Sequence, residues 1–296
     1  MKIVKVSLGL VLVIFALFIF SSNQKPVLNA NAAILVNADT GEILFEKNAN
    51  TPFAVASMSK MMTEYLVHES IAEGAINWES EVSISQHSAD IGGASIELQA
   101  GDVSTIRDLY QAMSIASANN ATAALAEHIA GSEEQFSNRM NQKAVELGLS
   151  QANFVNATGL TEPDGVNQMT ATEVAKLARI LIRDFPEVLE TSSLPEYTLA
   201  FNEETIMNTN QMLIYDYLSF SGLDGLKTGF TNEAGYCFAG TAQIKNTRLI
   251  TVVMGTEHSD DRFIETRDLL SYGFQTAPLF SLDSIKAKLS ELVSAI

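Results

Sequence analysis

Ser57 and Lys60 stand three residues apart in Ser57-Met58-Ser59-Lys60, a spacing that puts both on one face of a helix. A serine hydroxyl becomes a useful nucleophile only when a base takes its proton. Lys60 is a candidate for that base, provided burial and a neighbouring cation depress its pKa. The start of a helix also offers the Ser57 N–H and a favourable dipole to a developing oxyanion. Alone the pair is weak evidence, since Ser22-Asn23-Gln24-Lys25 repeats the spacing in a linker.

Two further constellations follow. Ser117-Ala118-Asn119 falls at the junction of two helical patterns, where both residue types also serve as plain helix N-caps. Lys227-Thr228-Gly229 lies on a strand-like run. Its bland reading is a solvated edge lysine, but a glycine there would let a substrate backbone come close to the strand. The ordered set S-x-x-K, S-x-N and K-T-G, with first members 60 and 110 residues apart, is far more specific than any one part.

The elements that must position these groups are legible. Ala33–Val36, Asp39-Thr40-Gly41 and Ile43–Phe45 predict a β-hairpin. Helices are expected from Ala56 to Ser70, from Ile106 through Met113, from about Asn120 to Ile129 and from Glu133 to Leu147. Thr170-Ala171-Thr172-Glu173 opens another, which runs through Ile182. Gly92-Gly93 and Gly101-Asp102 punctuate a polar, loop-rich stretch. Gly225–Thr231, Tyr236–Gln243 and Arg248–Gly255 read as strands, and Arg262–Phe274 as a closing helix. The pattern predicts an α+β fold, with one antiparallel sheet built from both chain ends, flanking helices and an inserted helical region.

From Ala33 to Phe274 the sequence resembles the penicillin-binding D-alanyl-D-alanine carboxypeptidases, serine peptidases of the β-lactamase/transpeptidase fold. The likeness rests on Ala56-Ser57-Met58-Ser59-Lys60-Met61-Met62-Thr63, Ile115-Ala116-Ser117-Ala118-Asn119-Asn120-Ala121 and Asp224-Gly225-Leu226-Lys227-Thr228-Gly229-Phe230-Thr231. Asn156-Ala157-Thr158-Gly159-Leu160, Arg183–Leu189 and Leu270–Phe274 extend it. The resemblance implies that Ser57 attacks the penultimate D-alanine carbonyl of a peptidoglycan stem peptide, releasing the last D-alanine, with Lys60 as base. It implies that Ser117 relays protons between Lys60 and Lys227, and that the Asn119 amide holds the substrate backbone. Lys227 would supply positive charge to the site and Thr228 would contact the terminal carboxylate, and the N–H groups of Ser57 and Phe230 would form the oxyanion hole. Penicillins and other β-lactams would acylate Ser57, and no cofactor or metal is implied.

The departures matter as much. Some members carry an arginine ahead of the K-T-G strand, where this chain has Asn208-Thr209-Asn210. Arg262 is the replacement expected to supply that charge, the alternative being a surface ion pair. Many relatives continue into a β-rich domain, whereas this sequence runs only about twenty residues past Phe274. The expected division is therefore 1–32 as signal or membrane anchor, 33–278 as catalytic domain and 279–296 as an amphipathic helix. Competing readings are an endopeptidase or transpeptidase acting on cross-links, a serine β-lactamase and a catalytically silent wall-binding protein. The class A β-lactamase segment Glu-x-x-Leu-Asn is absent; Glu162 lies in that interval, but Asn167 is at the wrong distance.

Lys2 and Lys5 precede an apolar-and-small run of 15 residues, Val6–Phe20, the layout of an export signal. The run falls short of the roughly 20 residues that span a bilayer comfortably. Ala30-Asn31-Ala32 offers an A-x-A cleavage form, and an uncleaved anchor is the alternative. Either way the lysines hold the N-terminus inside and the rest is expected outside the membrane. The chain carries 35 acidic and 18 basic residues, a net charge of −17. That excludes nucleic-acid binding through the overall field. The single cysteine, Cys237, permits no internal disulfide and no cysteine-cluster metal site, and is expected as a buried core thiol. The four histidines include no His-x-x-x-His pair, so zinc hydrolysis has little support.

Overall fold

The computed structural model describes residues 25–163 and 165–276. The N-terminal run of 1–24 and the expected helix of 279–296 lie outside the described residues.

The chain opens with the antiparallel hairpin of β1 (Ala32–Asn37) and β2 (Ile43–Lys47). A 3₁₀ turn, Ala56–Ser59, leads into helix α1 (Lys60–Ala72). The inserted helical region holds α2 (Ile106–Ile115), α3 (Asn119–Ala130) and α4 (Glu133–Glu146), followed by α5 (Ala171–Asp184). Strands β3 (Leu223–Thr231), β4 (Gly235–Ile244) and β5 (Thr247–Thr256) then complete the main sheet, and α6 (Asp261–Thr276) closes the described chain. The sheet order is β2-β1-β5-β4-β3, antiparallel throughout. This is the α+β architecture expected, with strands from both ends of the chain in one sheet.

Strand periodicity explains why helices cover both faces of that sheet. Ile34, Val36, Ile250, Val252 and Met254 point to one side and join a core with Met58, Met61, Val174 and Leu177. Ala33, Leu35, Leu249 and Val253 point to the other and meet Leu269, Leu270 and Phe274 of α6. Opposite parities of one strand thus feed two cores. α1 has no wet face over its first nine residues: Lys60 through His68 are all buried. A helix buried all round is the central post of a domain, and its polar residues must then find partners inside.

The α5 start is tied as its sequence suggests. The Thr170 hydroxyl accepts from the Glu173 N–H while the Glu173 carboxylate takes the Thr170 N–H, a capping box. Other details depart from expectation. The stretch read as loop contains a strand pair, Glu81–Ser83 with Val103–Thr105, and a five-residue helix, Gln86–Asp90. These elements are too short for periodicity to register. The chain also packs before residue 33. Leu28 and Ala30 are buried, the Asn29 N–H donates to Glu265 at 2.7 Å, and Ala32 pairs with Met254. A cut after Ala32 would remove these contacts.

Candidate active site

Ser57 rides on the 3₁₀ turn just before α1, and two glycines make room for that turn. A Cβ on Gly229 would lie 2.8 Å from the Val55 carbonyl oxygen and 3.2 Å from the Met58 nitrogen. One on Gly159 would lie 2.1 Å from the Ala56 carbonyl oxygen. The Gly229 space expected for a substrate backbone is therefore also occupied by the nucleophile's own turn. Ala56 has φ 47° and Ser117 has φ 61°, left-handed conformations that non-glycine residues adopt at a cost. Both strained residues border the cleft chemistry rather than a surface loop.

Lys60 is fully buried. Its Nζ lies 2.8 Å from Ser57 Oγ, 2.7 Å from Asn119 Oδ1 and 2.6 Å from the Thr158 carbonyl oxygen. A neutral amine has two hydrogens. Given to the two carbonyl oxygens, they leave its lone pair for the Ser57 hydroxyl. Burial, and then the neighbouring Lys227 charge, push the Lys60 amine well below its ordinary pKa, against the opposing pull of Glu133 and Glu64. Both conditions set for a lysine base are met.

Ser117 is not a helix N-cap. The cap position of α3 belongs to Ala118, which has no side-chain cap bond, and Ser117 sits buried before it. Asn119 is held at three points: its N–H donates to the Ala94 carbonyl at 2.6 Å, its Nδ2 to the Gly92 carbonyl at 2.8 Å, and its Oδ1 accepts from Lys60. One amide hydrogen remains for a ligand. Lys227 lies on β3, the end strand of the sheet, yet it is 1% exposed rather than solvated. Its Nζ has no hydrogen-bond partner among the described residues. Burial lowers this ammonium to about 8, opposed by Glu64 and reinforced by Arg262.

Thr228 Oγ1 donates to Thr209 Oγ1 at 2.7 Å, so the segment that lacks the expected arginine still reaches the site. Arg262 is 7% exposed and makes no ion pair among the described residues. That rules out the surface pair. Its guanidinium donates to the Gly229 carbonyl at 3.2 Å and lies 5.2 Å from the Tyr236 ring centroid. Burial lowers it to about 10, still a cation at neutral pH. Ser57, Ser117, Asn119, Thr228, Phe230 and Arg262 line one cleft of about 320 Å³. Phe230 is half exposed and stacks on Tyr236 at 4.2 Å. A larger cavity of about 380 Å³ lies by Arg179, Arg183 and Arg248, whose guanidinium groups are already bonded to protein oxygens.

All nine residues singled out in the sequence thus converge: eight line the cleft or touch its lining, and Lys227 lies buried within reach of its charges. Three participants were not singled out in the sequence: the Thr158 carbonyl, Thr209 and the buried Glu64. Only Glu64 was findable by spacing, because Lys60, Glu64 and His68 repeat every four residues along the helix. Cys237 is a buried free thiol, as expected.

A family model described as D-alanyl-D-alanine carboxypeptidase, peptidase S11, matches residues 20–258. The D-alanyl-D-alanine carboxypeptidase DacF of Bacillus subtilis is 36% identical over 264 residues, 88% of this chain and 66% of that protein. The chain therefore spans just under two thirds of that relative's length. Among solved structures, penicillin-binding protein D2 of Listeria monocytogenes in its ampicillin-bound form superposes with a TM-score of 0.78 at 36% identity, covering 85% of this chain and 100% of that one. A peptidoglycan synthesis regulatory factor, PBP3, of Streptococcus pneumoniae gives a TM-score of 0.79 at 38% identity, over 83% of this chain and 72% of that one.

Proposed function

The chain belongs to the D-alanyl-D-alanine carboxypeptidase family, and from that premise we propose that it removes the terminal D-alanine from peptidoglycan stem peptides by way of an acyl-enzyme on Ser57. The observation that carries the reading is the Lys60 amine, buried, depressed in pKa and 2.8 Å from Ser57 Oγ. Lys60 takes the Ser57 proton as Oγ attacks the penultimate carbonyl. The tetrahedral oxyanion meets the Ser57 and Phe230 N–H groups. Ser117 relays the proton held by Lys60 to the leaving D-alanine nitrogen as the C–N bond breaks, which leaves Lys60 neutral again. A water then gives its proton to Lys60 and attacks the ester; Lys60 returns that proton to Ser57 Oγ as the shortened peptide leaves. Arg262, Lys227 and Thr228 receive the substrate carboxylate, making a local positive site in a negatively charged protein. A β-lactam enters the same path and stops at the ester. The reading places the catalytic unit outside the cytoplasmic membrane, attached or released through the N-terminal run.

D-Alanine release from a pentapeptide ending in D-Ala-D-Ala tests the reaction. Release is expected, and its loss in Ser57→Ala. Opening or formation of cross-links faster than D-alanine release would replace this reading with the endopeptidase or transpeptidase one.

A further inference from the structure

Three ionisable side chains at or near the cleft lie outside bulk water and act on one another's charge through space. Lys60 is 0%, Lys227 1% and Glu64 3% exposed. Glu64 follows Lys60 by one turn of α1, so the two share a face. Buried charges persist when an opposite charge or hydrogen bonds compensate them. One carboxylate can offset one ammonium, and the two lysines are not equivalent claimants. Lys60 is satisfied as a neutral amine by Asn119 Oδ1, the Thr158 carbonyl and Ser57. Lys227 Nζ has no hydrogen-bond partner among the described residues, so its charge must be met through space.

The groups around the pair point the same way. From α6, Arg262 opposes the Lys227 charge, and Glu64 of α1 is the negative group that supports it. From α4, Glu133 acts on Lys60. The α2 residues facing Glu64 are hydroxyls: Ser114 gives it a hydrogen bond, and Tyr110 is held in its neutral form by burial and by Glu64 itself. His68, one turn further along α1, is engaged by Tyr110 at 3.0 Å and by Glu187 at 3.2 Å, and burial lowers its pKa. Burial raises the Glu64 carboxyl to about 7, while Lys227, Ser114 and Lys60 favour its ionised form.

We infer that Glu64 is a positioning residue for acyl transfer: it is the buried counter-charge that keeps Lys227 an ammonium and so leaves Lys60 as the lysine that works uncharged. The inference rests on the acyl-enzyme reading above. Glu64 touches neither the nucleophile nor the substrate in it; it decides which lysine carries the proton.

The test is the pH dependence of acylation by a penicillin in the wild type, Glu64→Gln and Glu64→Asp. Removing the carboxylate withdraws support from the Lys227 charge, so the alkaline limb should move to lower pH. Loss of a buried counter-charge is worth about one pH unit or more, hence a roughly tenfold loss of rate above the new limb. Glu64→Asp should return the limb part of the way. Ser114→Ala, which removes a bond favouring the ionised Glu64, should move it the same way by less and serves if Glu64→Gln does not fold. A limb that stays in place while the rate falls equally at all pH values would mean a packing role and overturn the inference alone. A wild type that takes up no penicillin would overturn the acyl-enzyme reading and this inference with it.

Discussion

Gly229 and Val55 lie so close that a single methyl would force them apart, with the added Cβ 2.8 Å from the Val55 carbonyl oxygen. The glycine of the third motif is therefore the seat of the turn that carries the nucleophile of the first. β3 and the Ser57 turn fix one another, and the Arg262 bond to the Gly229 carbonyl ties α6 to the same point.

Gly229→Ala should consequently displace Ser57 rather than unfold the protein. A shift near 1 Å at a reacting atom costs on the order of 100-fold, and overpacking costs about 1–3 kcal/mol of stability. Penicillin acylation rate and a denaturant titration measure the two separately. Wild-type acylation in this variant would show that the turn yields without moving Ser57.

The pH profile of kcat/KM should be bell-shaped. Lys60 must be neutral to accept the Ser57 proton, so activity falls in acid as the amine regains its charge at its depressed pKa. Lys227 must be charged to receive the carboxylate, so activity falls in base as pH rises through about 8. Kinetics across roughly pH 5–10 decide the matter, and a flat profile would contradict both assignments.

Arg262→Gln should raise KM for a D-Ala-D-Ala peptide about 10-fold or more while changing kcat little, because a charge-assisted bond to the terminal carboxylate is lost. The same variant should treat a C-terminal amide substrate as the wild type does. Equal losses on both substrates would mean that Arg262 serves only to hold Gly229 and Tyr236 in place.

The α5 capping box gives a control remote from chemistry. Thr170→Ala leaves the Glu173 N–H unmet and should cost about 1 kcal/mol of stability, read from the urea midpoint. Acylation by penicillin should not change; a large fall would mean that α5 anchors the site more directly than the packing suggests.

Much of this was legible in the sequence because strands and long helices announce themselves by period, and because three motifs in order restrict one another. The apolar run Ala33–Val36 with the turn after it predicted the β1–β2 hairpin, and the i, i+3 spacing of Ser57 and Lys60 predicted a shared face on which the structure puts them 2.8 Å apart. What stayed hidden depends on contacts between distant segments. The Thr158 carbonyl is a backbone atom with no residue signature, and Thr209 matters only because β3 brings Thr228 against it. Arg262 looked ambiguous since burial cannot be read from a charged residue beside two aspartates. The N-cap reading of Ser117 failed for the opposite reason: its residue type favours a cap, while its φ of 61° belongs to the cleft.

The most direct test of the Ser57–Lys60 pair is the intact mass of the protein after exposure to a penicillin, with the modified residue located by peptide mapping. The account predicts the full mass of one opened β-lactam on Ser57, absent in Ser57→Ala and formed far more slowly in Lys60→Ala. An unmodified wild type, or an adduct that persists when Ser57 is replaced, would contradict it.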